Sequence, residues 1–312
     1  MQALKQRQQE QAKLRDILNA ESTEKTIEER VERCRELQYE KHQQLFAVSY
    51  TDLHKAAADN SLSGVKYFLQ TGVKRGMKSK AAKLQVLEQL NKNGLTPLHC
   101  AADKGALDVI NFLLENDCNI NIQSREGNTA LMYACKANQL EVIRLFVEKK
   151  ANILVTNQCG MNCIHFAAQS DNHAAIQTLV DTIHDRSSLA TARTETSLES
   201  ALFLEEELQS ETNENSPLEK QLYHALSQPS NNLTTPLHLA CSYGAEQTVR
   251  TLIRCGANIN AQDTSGDTAL HKAARNNFFQ VYRFLLCCGA SDELRNNFRE
   301  TPADCLVDSS IY

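Results

Sequence analysis

The sequence predicts an all-α fold, a solenoid of stacked helix-turn-helix units joined by short hairpins. The tetrapeptide Thr-Pro-Leu-His occurs at 96–99 and 235–238, with Thr-Ala-Leu-His at 268–271 and a degenerate Thr-Asp-Leu-His at 51–54. Positions 96, 129 and 162 are 33 residues apart, and positions 235, 268 and 301 repeat that interval. This period is typical of repeats in which each helix pair buries its apolar face only against its neighbours.

Each tetrapeptide has the chemistry of a helix start. The hydroxyl of a threonine such as Thr96 accepts an otherwise unpaired amide, and proline at the next position needs no hydrogen-bond partner for its nitrogen. Nine residues after the opening positions stand residue types that tolerate a left-handed turn between the two helices of a unit. These are Gly105, Asn138, Asp171, Gly244 and Asn277.

The connecting hairpins are predicted from a second set of residues, two positions before each opening position. Glycine occupies this place in four units, as Gly94, Gly127, Gly160 and Gly266, and is replaced by Leu233 and Arg299 in two others. Ile183 stands where other units end their second helix with glycine, as at Gly72 and Gly256. The stack is therefore least regular after Ile183.

The predicted core keeps its register when the sequence is shifted by one period. In the unit that begins at 91, the predicted buried residues are Leu98, Ala101, Ala102, Val109, Ile110, Leu113 and Leu114. A shift of 33 residues gives Leu131, Ala134, Cys135, Val142, Ile143, Phe146 and Val147. The same face of each helix pair is therefore apolar in successive units.

These motifs resemble those of the ankyrin-repeat family over close to two thirds of the chain. The resemblance implies about six repeats and a C-terminal half-repeat whose capping helix opens at Thr301. It also implies a non-enzymatic scaffold that binds proteins on its concave face, through the hairpin tips and inner helices. Asn121 and Asn260 resemble the sites that asparaginyl hydroxylases modify in such repeats, so both are predicted modification sites.

Four regions are expected along the chain. Residues 1–48 form a charged helical extension, and residues 49–183 contain repeats 1–4 with a basic insertion at 73–90. Residues 184–230 form an acidic insertion, and residues 231–312 contain repeats 5–6 and the cap. The extension carries nine acidic and nine basic side chains up to residue 46, with sparse apolar stripes that predict two helices, at about 3–19 and 26–37. A solvated capping extension is the preferred interpretation, and a short coiled-coil seam is the alternative.

The two insertions carry opposite charge. The basic insertion contains five lysine or arginine residues against Glu88 alone and is interpreted as a lysine-rich loop extending a helix pair. The acidic insertion contains nine acidic and three basic residues, with predicted helices at 197–209 and 217–226 and a polar, partly disordered stretch between them. Their charges permit a contact with each other, which salt would screen.

Composition narrows the location and the class of partner. Eleven cysteines, several at small, packed positions of the repeats, favour a reducing compartment over a disulfide framework. No apolar run is long enough to span a bilayer, and the N-terminus lacks an apolar signal segment. We therefore expect a cytoplasmic protein, with nuclear access or translocation into a host cell left open. A net charge of −5 does not itself select a partner.

No pattern predicts catalysis, a cofactor or a metal. Five histidines share one repeat position, which favours a structural role. Cys159, Cys163 and His165 have the order of a metal or nucleophile motif, but Cys163 and His165 occupy the motif proline and histidine positions, and no second ligand pair at zinc-like spacing occurs. No phosphate-binding glycine loop or nucleophile elbow occurs. The basic insertion lacks the interleaved aromatics that stack on bases, so a nucleic-acid partner is not expected.

The predicted function is that of a protein-interaction scaffold. Its predicted partner-binding residues lie at hairpin tips and on first helices, outside the core: Lys92, Leu95, Asp103, Lys104, Arg125, Glu126, Lys136, Met161, Gln169, Tyr243 and Arg275. A second partner is expected at the N-terminal helices or the acidic insertion. The alternative function is a bacterial effector that captures a host protein with the same repeats, and an enzyme with chemistry in the acidic insertion is disfavoured.

Overall fold

The computed structural model describes residues 52–74, 80–195 and 217–306, and every regular element within these ranges is an α-helix. The helices predicted at 3–19, 26–37 and 197–209 lie outside the described residues. Within the described part of the chain, no helix is long and apolar enough to cross a membrane.

Six helix pairs form the repeats. Repeat 1 consists of α1 (Leu53–Ala58) and α2 (Leu62–Lys74), and the basic insertion contributes α3 (Lys80–Leu87). Repeat 2 consists of α4 (Pro97–Lys104) and α5 (Leu107–Glu115). Repeat 3 consists of α6 (Ala130–Lys136) and α7 (Leu140–Glu148), and repeat 4 of α8 (Cys163–Gln169) and α9 (His173–Glu195). The acidic insertion contributes α10 (Pro217–Ser227). Repeats 5 and 6 consist of α11 (Pro236–Ser242) and α12 (Glu246–Arg254), and α13 (Ala269–Arg275) and α14 (Phe279–Cys287).

The first helices of the repeats, α1, α4, α6, α8, α11 and α13, are the inner helices, and each contacts the next along the stack. The second helices lie outside this row. The predicted core is confirmed almost completely: all fourteen positions of the two predicted sets are buried except Leu114, which is half-buried. Apolar burial between successive repeats therefore holds the stack together.

The stack continues across the acidic insertion. Inner helix α8 contacts α11 directly, although the repeat openings at 162 and 235 are 73 residues apart. Ile183 is not at a turn: it is buried within α9, which runs on to Glu195. The insertion leaves the stack at the end of an outer helix and returns before the next inner helix, so the row of inner helices is not interrupted.

Helix α10 returns the chain to the stack, and its position confirms the helix expected at 217–226. Leu222, Ala225 and Leu226 are buried. The fully buried Asn162, which occupies the place of the motif threonine, donates from its amide to the carbonyl oxygen of Ala225 at 2.8 Å and to the Gln228 side chain at 3.1 Å. The departure from threonine thus coincides with a specific attachment of the insertion.

Two local expectations are corrected. The basic insertion is not only a loop, because it contains α3, whose Leu87 is 1% exposed, and Glu88 accepts a hydrogen bond from the Asn119 amide at 2.9 Å. The helix expected to open at Thr301 is absent from the described residues, where 302–306 form turns. The Asp304 carboxylate accepts from both the amide and the hydroxyl of Thr301, at 2.8 Å each, in the place where other units have histidine.

Candidate protein-binding surface

In repeats 2, 4, 5 and 6, the motif histidine links the inner helix to the hairpin that follows the repeat. In repeat 2, the His99 Nδ1 accepts from the Thr96 amide at 3.1 Å, so the proton of the neutral ring lies on Nε2, which donates to the carbonyl oxygen of Asn128 at 2.9 Å. The same link joins His165 to Thr234 at 3.1 Å, across the acidic insertion. His238 and His271 repeat it.

Burial keeps the imidazoles of His99, His165 and His238 neutral. Loss of hydration disfavours the charged ring and lowers the pKa of His99 and of His165 to about 4, and it lowers the pKa of His238 as well. Both ring nitrogens of each histidine are engaged. The structural interpretation of the histidine series is therefore supported. Among the described residues, no group of three His, Cys, Asp or Glu side chains is arranged to hold a metal ion.

The hairpins between repeats form six fingers, which we number 1 to 6: residues 91–95, 124–128, 157–161, 230–234, 263–267 and 296–300. In finger 3, the Asn157 side-chain oxygen accepts from the amides of Cys159 and Met161, both at 2.9 Å, and so closes the turn. Asn91, Asp263 and Asn296 do the same, and serine hydroxyls at 124 and 230 replace them in fingers 2 and 4. This series was not predicted from the sequence, although positions 91, 124 and 157 follow the 33-residue period.

The tips of the fingers turn at the predicted positions, and each tip residue adopts a left-handed conformation. Gly94, Gly127, Gly160 and Gly266 have φ between 73° and 81°, and Leu233 and Arg299 adopt φ of 54° and 64° in the same place. The five predicted turns within repeats are confirmed too, with φ between 54° and 75°. Close packing adds a second constraint at Gly160, where a Cβ atom would lie 2.7 Å from the backbone nitrogen of Asn231.

Backbone hydrogen bonds join the fingers into one row. In each bond a backbone N–H of one finger donates to a backbone carbonyl oxygen of the finger before it. The five pairs are Arg125 to Gly94 at 2.9 Å, Gln158 to Glu126 at 3.1 Å, Asn231 to Cys159 at 3.0 Å, Thr264 to Asn232 at 3.1 Å and Asn297 to Ser265 at 3.0 Å. The third of these bonds spans the acidic insertion. The six fingers therefore form a continuous row beside the inner helices, and we call the two together the inner surface.

The predicted partner-binding residues occupy two parts of this inner surface. Lys92, Arg125 and Glu126 are exposed on fingers, whereas Leu95 and Met161 are half-buried at finger bases. At or just beyond the ends of inner helices, Lys104, Lys136, Gln169, Tyr243 and Arg275 are exposed, and Asp103 is half-buried.

Some of these residues have intramolecular partners. Arg275 donates to the Asp267 carboxylate at 2.6 and 3.2 Å and lies 3.6 Å from Glu300. The Glu126 carboxylate accepts a hydrogen bond from the side-chain amide of Asn128 at 3.1 Å, and the side-chain amide of Gln169 donates to the Tyr243 hydroxyl at 3.4 Å. Arg275 is thus part of a network within the protein as well as an exposed side chain.

That network surrounds a buried carboxylate. The side chain of Asp267 is 0% exposed. Its carboxylate pairs with the Lys272 ammonium at 2.9 Å and accepts a hydrogen bond from the side-chain amide of Asn296 at 2.9 Å. Lys272 also pairs with Asp263 at 2.7 Å. Burial raises the pKa of Asp267, but the hydrogen bonds from Asn296, Lys272 and Arg275 outweigh it, and the net pKa lies below its usual value. The charged side chains of inner helix α13 are therefore paired within the protein.

The two predicted modification sites join neighbouring repeats. The side-chain oxygen of Asn121 accepts from the Asn152 amide at 2.8 Å, and that of Asn260 accepts from the Ser291 amide at 2.9 Å. Modification of either residue stays a prediction.

Five residues at one position of the inner helices, beside the fingers, form a series that was not predicted from the sequence. It comprises Cys100, Tyr133, Phe166, Leu239 and Lys272, which stand at one repeat position. The Tyr133 hydroxyl accepts a hydrogen bond from the side-chain amide of Asn128 at 3.3 Å. The Tyr133 ring packs edge-to-face on the His99 ring, with the ring centroids 5.5 Å apart. A shift of 33 residues from Cys100 would have identified the members up to Phe166.

The fold and this surface define the class of helical repeat proteins. The family model for ankyrin repeats (3 copies) matches residues 28–124, 53–157, 116–187 and 210–296, so the chain belongs to the ankyrin-repeat family.

Curated relatives are similar over short stretches. The neurogenic locus notch homolog protein 1 of Danio rerio is 48% identical over 69 residues, which is 22% of this chain and 3% of that protein. The human SH3 and multiple ankyrin repeat domains protein 2 is 42% identical over 66 residues, or 21% of this chain and 4% of that protein. Human protein fem-1 homolog C is 31% identical over 93 residues, or 26% of this chain and 15% of that protein. The matches thus span only a small part of each relative.

Two solved structures share the fold over most of the chain. The human ASB11 ankyrin repeat domain aligns with a TM-score of 0.58 at 21% identity, covering 83% of this chain and 93% of that one. The ankyrin repeat domain of Bcl-3 aligns with a TM-score of 0.56 at 21% identity, covering 83% and 95%. At this identity the likeness establishes the fold and no more.

Proposed function

We propose that the chain is a non-enzymatic protein-interaction scaffold and that its partner binds on the inner surface. The continuous row of fingers is the observation that carries this proposal. Because the hydrogen bond from Asn231 to Cys159 joins fingers 3 and 4, the side chains before and after the acidic insertion belong to one surface. A partner can then contact repeats 2 to 6 together.

The side chains on this surface have the chemistry of an interface. Tyr243 is 55% exposed, Met161 and Leu95 are half-buried, and Arg125 is exposed. Aromatic residues, methionine and arginine are enriched at the centres of protein interfaces. A rigid backbone supports them, since each finger is closed by its own side-chain cap and bonded to the next finger. Little conformational entropy is then lost on binding.

Binding without catalysis is consistent with the state of the histidines. The residues most suited to acid–base chemistry at neutral pH are the motif imidazoles, and His99 and His165 use both ring nitrogens to hold the stack. Neither can transfer a proton without breaking the contact between repeats.

A cytoplasmic location and a second partner complete the proposal. The structure describes ten cysteines, all with free thiols, and Cys135, Cys163 and Cys241 are buried, which fits a reducing compartment. The second partner is proposed to bind at residues 1–48 or at the acidic insertion.

The inner surface is tested by comparing two double variants. A partner is first identified by cross-linking to the full chain in native lysate, and its affinity is then measured with purified components. The variant Met161→Ala with Tyr243→Ala is expected to weaken binding at least tenfold, because it removes two apolar contacts at the centre of the surface. The control, Arg144→Ala with Glu148→Ala, changes exposed residues of outer helix α7. Weakening by the control alone would refute the inner surface as the binding site.

A further inference from the structure

We infer that the partner presents an acidic segment to repeats 2 and 3, with a bulky apolar side chain three to six residues away that binds repeats 4 and 5. The inference rests on the proposed function, because it requires the partner to bind the inner surface. It goes further by assigning a chemical character to each part of the partner. The distribution of charge along the inner surface carries it.

The first part of the surface is basic, and most of its positive charges are unpaired. Lys92 and Arg125 are exposed on fingers 1 and 2, and Lys136 is exposed at the end of α6. Among the described residues, none of these three has a carboxylate oxygen within 4.0 Å. Lys104, at the end of α4, pairs with Asp103 at 3.1 Å and keeps a side chain that is 63% exposed.

Three carboxylates lie in the same part of the surface, and each has a partner within the protein. Asp103 pairs with Lys104, and Glu126 accepts the hydrogen bond from the Asn128 amide. Asp52 bonds to His54 at 2.9 Å and lies near enough to Lys92 for that lysine to favour its charged form. None of the three lies within 4.0 Å of Arg125 or Lys136, and the four basic residues outnumber them by one, so the excess charge on this part of the surface is positive.

The middle of the surface carries no charged side chain. Fingers 3 and 4 read Asn-Gln-Cys-Gly-Met and Ser-Asn-Asn-Leu-Thr, and helices α8 and α11 contain only uncharged residues apart from their buried motif histidines. Apolar groups are accessible here: Leu233 is 49% exposed, Tyr243 is 55% exposed, and Met161 and Leu239 are half-buried. This part of the surface favours an apolar side chain and offers no positive charge to an acidic one.

In the last part of the surface, both basic residues of inner helix α13 are already neutralised, whereas Arg299 is exposed at the tip of finger 6. Lys272 pairs with Asp263 and Asp267, and Arg275 pairs with Asp267 and Glu300. An acidic ligand would have to displace these internal carboxylates, one of which is buried. Acidic residues of a partner are therefore stabilised at repeats 2 and 3 and not at inner helix α13 of repeat 6.

The distance between the two kinds of contact follows from the packing of the repeats. Neighbouring packed helices lie about 8–10 Å apart, and an extended peptide advances about 3.3 Å per residue. One repeat thus corresponds to about three residues of an extended ligand, and one to two repeats separate Lys136 from the contacts at Met161 and Tyr243.

The test begins with random 16-residue peptides displayed on phage and selected on the full chain. The enriched peptides are synthesised, and their affinity is measured by fluorescence anisotropy in 50 mM and 500 mM NaCl. The selected peptides are expected to carry an acidic cluster with a bulky apolar residue three to six positions away. Their affinity should decrease at the higher salt concentration, since exposed charges are screened.

Two charge-reversal variants with the same change in net charge locate the binding site. Arg125→Glu with Lys136→Glu is expected to weaken binding at least tenfold in 50 mM NaCl. Arg144→Glu with Arg283→Glu, on exposed positions of the outer helices, should change it by less than about twofold because surface charges at a distance are screened. Circular dichroism confirms that both variants are folded.

The other outcomes separate this inference from the proposed function. Selected peptides that lack acidic residues but lose binding with Met161→Ala and Tyr243→Ala would refute the acidic segment and leave the inner surface as the binding site. Peptides insensitive to every inner-surface variant, or no enriched peptide at all, would contradict both proposals. A 12-nucleotide single-stranded RNA that binds as tightly as the peptides and loses affinity with Arg125→Glu and Lys136→Glu would identify a nucleic acid in place of an acidic protein segment.

Discussion

Lowering the pH from 7.5 to 5.0 is expected to destabilise the stack through His99 and His165. Both rings are fully buried, and burial lowers their pKa to about 4 from an ordinary value near 6.5. The unfolded chain therefore binds protons between these two values while the folded chain does not. The contribution of these two histidines to the free energy of unfolding is constant at pH values well above 6.5 and falls as the pH drops from 6.5 toward 4.

The size of the effect follows from the same values. At pH 5.0, a group with a pKa of 6.5 in the unfolded chain and about 4 in the folded chain reduces the free energy of unfolding by about 2 kcal/mol. Two such histidines contribute about 4 kcal/mol, a large fraction of the ~5–15 kcal/mol that stabilises an ordinary domain. Asp267 acts in a different range. Its pKa is lowered, so its contribution persists above about pH 4 and is lost only as the pH falls further.

The assay is urea unfolding followed by circular dichroism at both pH values, in the wild type and in the double variant His99→Met with His165→Met. The chain already places Met132 at the motif histidine position of repeat 3, where its sulfur lies 3.3 Å from the Thr129 amide nitrogen. The variant is expected to be less stable at pH 7.5, because it loses two hydrogen bonds between repeats worth about 1 kcal/mol each. Its further loss between pH 7.5 and 5.0 should be smaller than that of the wild type by about 4 kcal/mol.

Equal loss of stability on acidification in the variant and the wild type would refute this reasoning. That result would mean that other groups titrate in this range and that the buried imidazoles are not its source.

Three further substitutions test single contacts by urea unfolding. Asn162→Thr should cost about 1–3 kcal/mol, because it leaves the carbonyl oxygen of Ala225 without its donor; an unchanged midpoint would show that α10 is held by apolar burial alone. Asp267→Ala should cost about 3 kcal/mol, since it removes the shared acceptor of two cations and an amide, and a loss below 1 kcal/mol would contradict that role. Gly160→Ala should cost more than Gly289→Ala: both have φ above 70°, but only at Gly160 does a Cβ atom meet backbone within 3.0 Å. Equal losses would show that finger contact adds nothing to the backbone strain.

Much of the fold could be predicted from the sequence because its determinants are local and repeated. The turn at Gly105 requires a residue that tolerates positive φ, and the start at Thr96 requires a side-chain acceptor, so both leave a signal at one position. Repetition at 33 residues then distinguishes these signals from chance. The caps at Asn157 and its equivalents are equally local and recur with the same period, so the sequence contains the signal for them as well.

The attachment of the insertions could not be predicted in the same way. The amide of Asn162 meets Ala225 across 63 residues of sequence, and nothing in the repeat period relates the two positions. At Thr301 the sequence predicts a helix that the described residues do not form. Its start resembles those of the repeats, but Asp304 bonds to Thr301 in place of the usual histidine, and the described residues beyond it form turns. A start signal alone does not determine whether a helix continues.

The inner surface as a set of binding residues was predictable only in outline. Exposure of Arg125 and Lys136 followed from the register, but the pairing of Arg275 with the buried Asp267 depends on side-chain geometry. Whether a basic residue is free or already paired decides what it offers a partner. The distinction between the basic, uncharged and self-paired parts of the surface therefore required the structure.

Hydrogen–deuterium exchange of the full chain, with and without a saturating selected peptide, tests the central claim most directly. Binding on the inner surface predicts slower exchange in fingers 2, 3 and 4 (124–128, 157–161 and 230–234) together, because the row that joins them continues across the acidic insertion. Exchange in the outer helices α5 and α7 should change little. Slower exchange confined to the outer helices, or to the insertion at 184–230, would contradict the account.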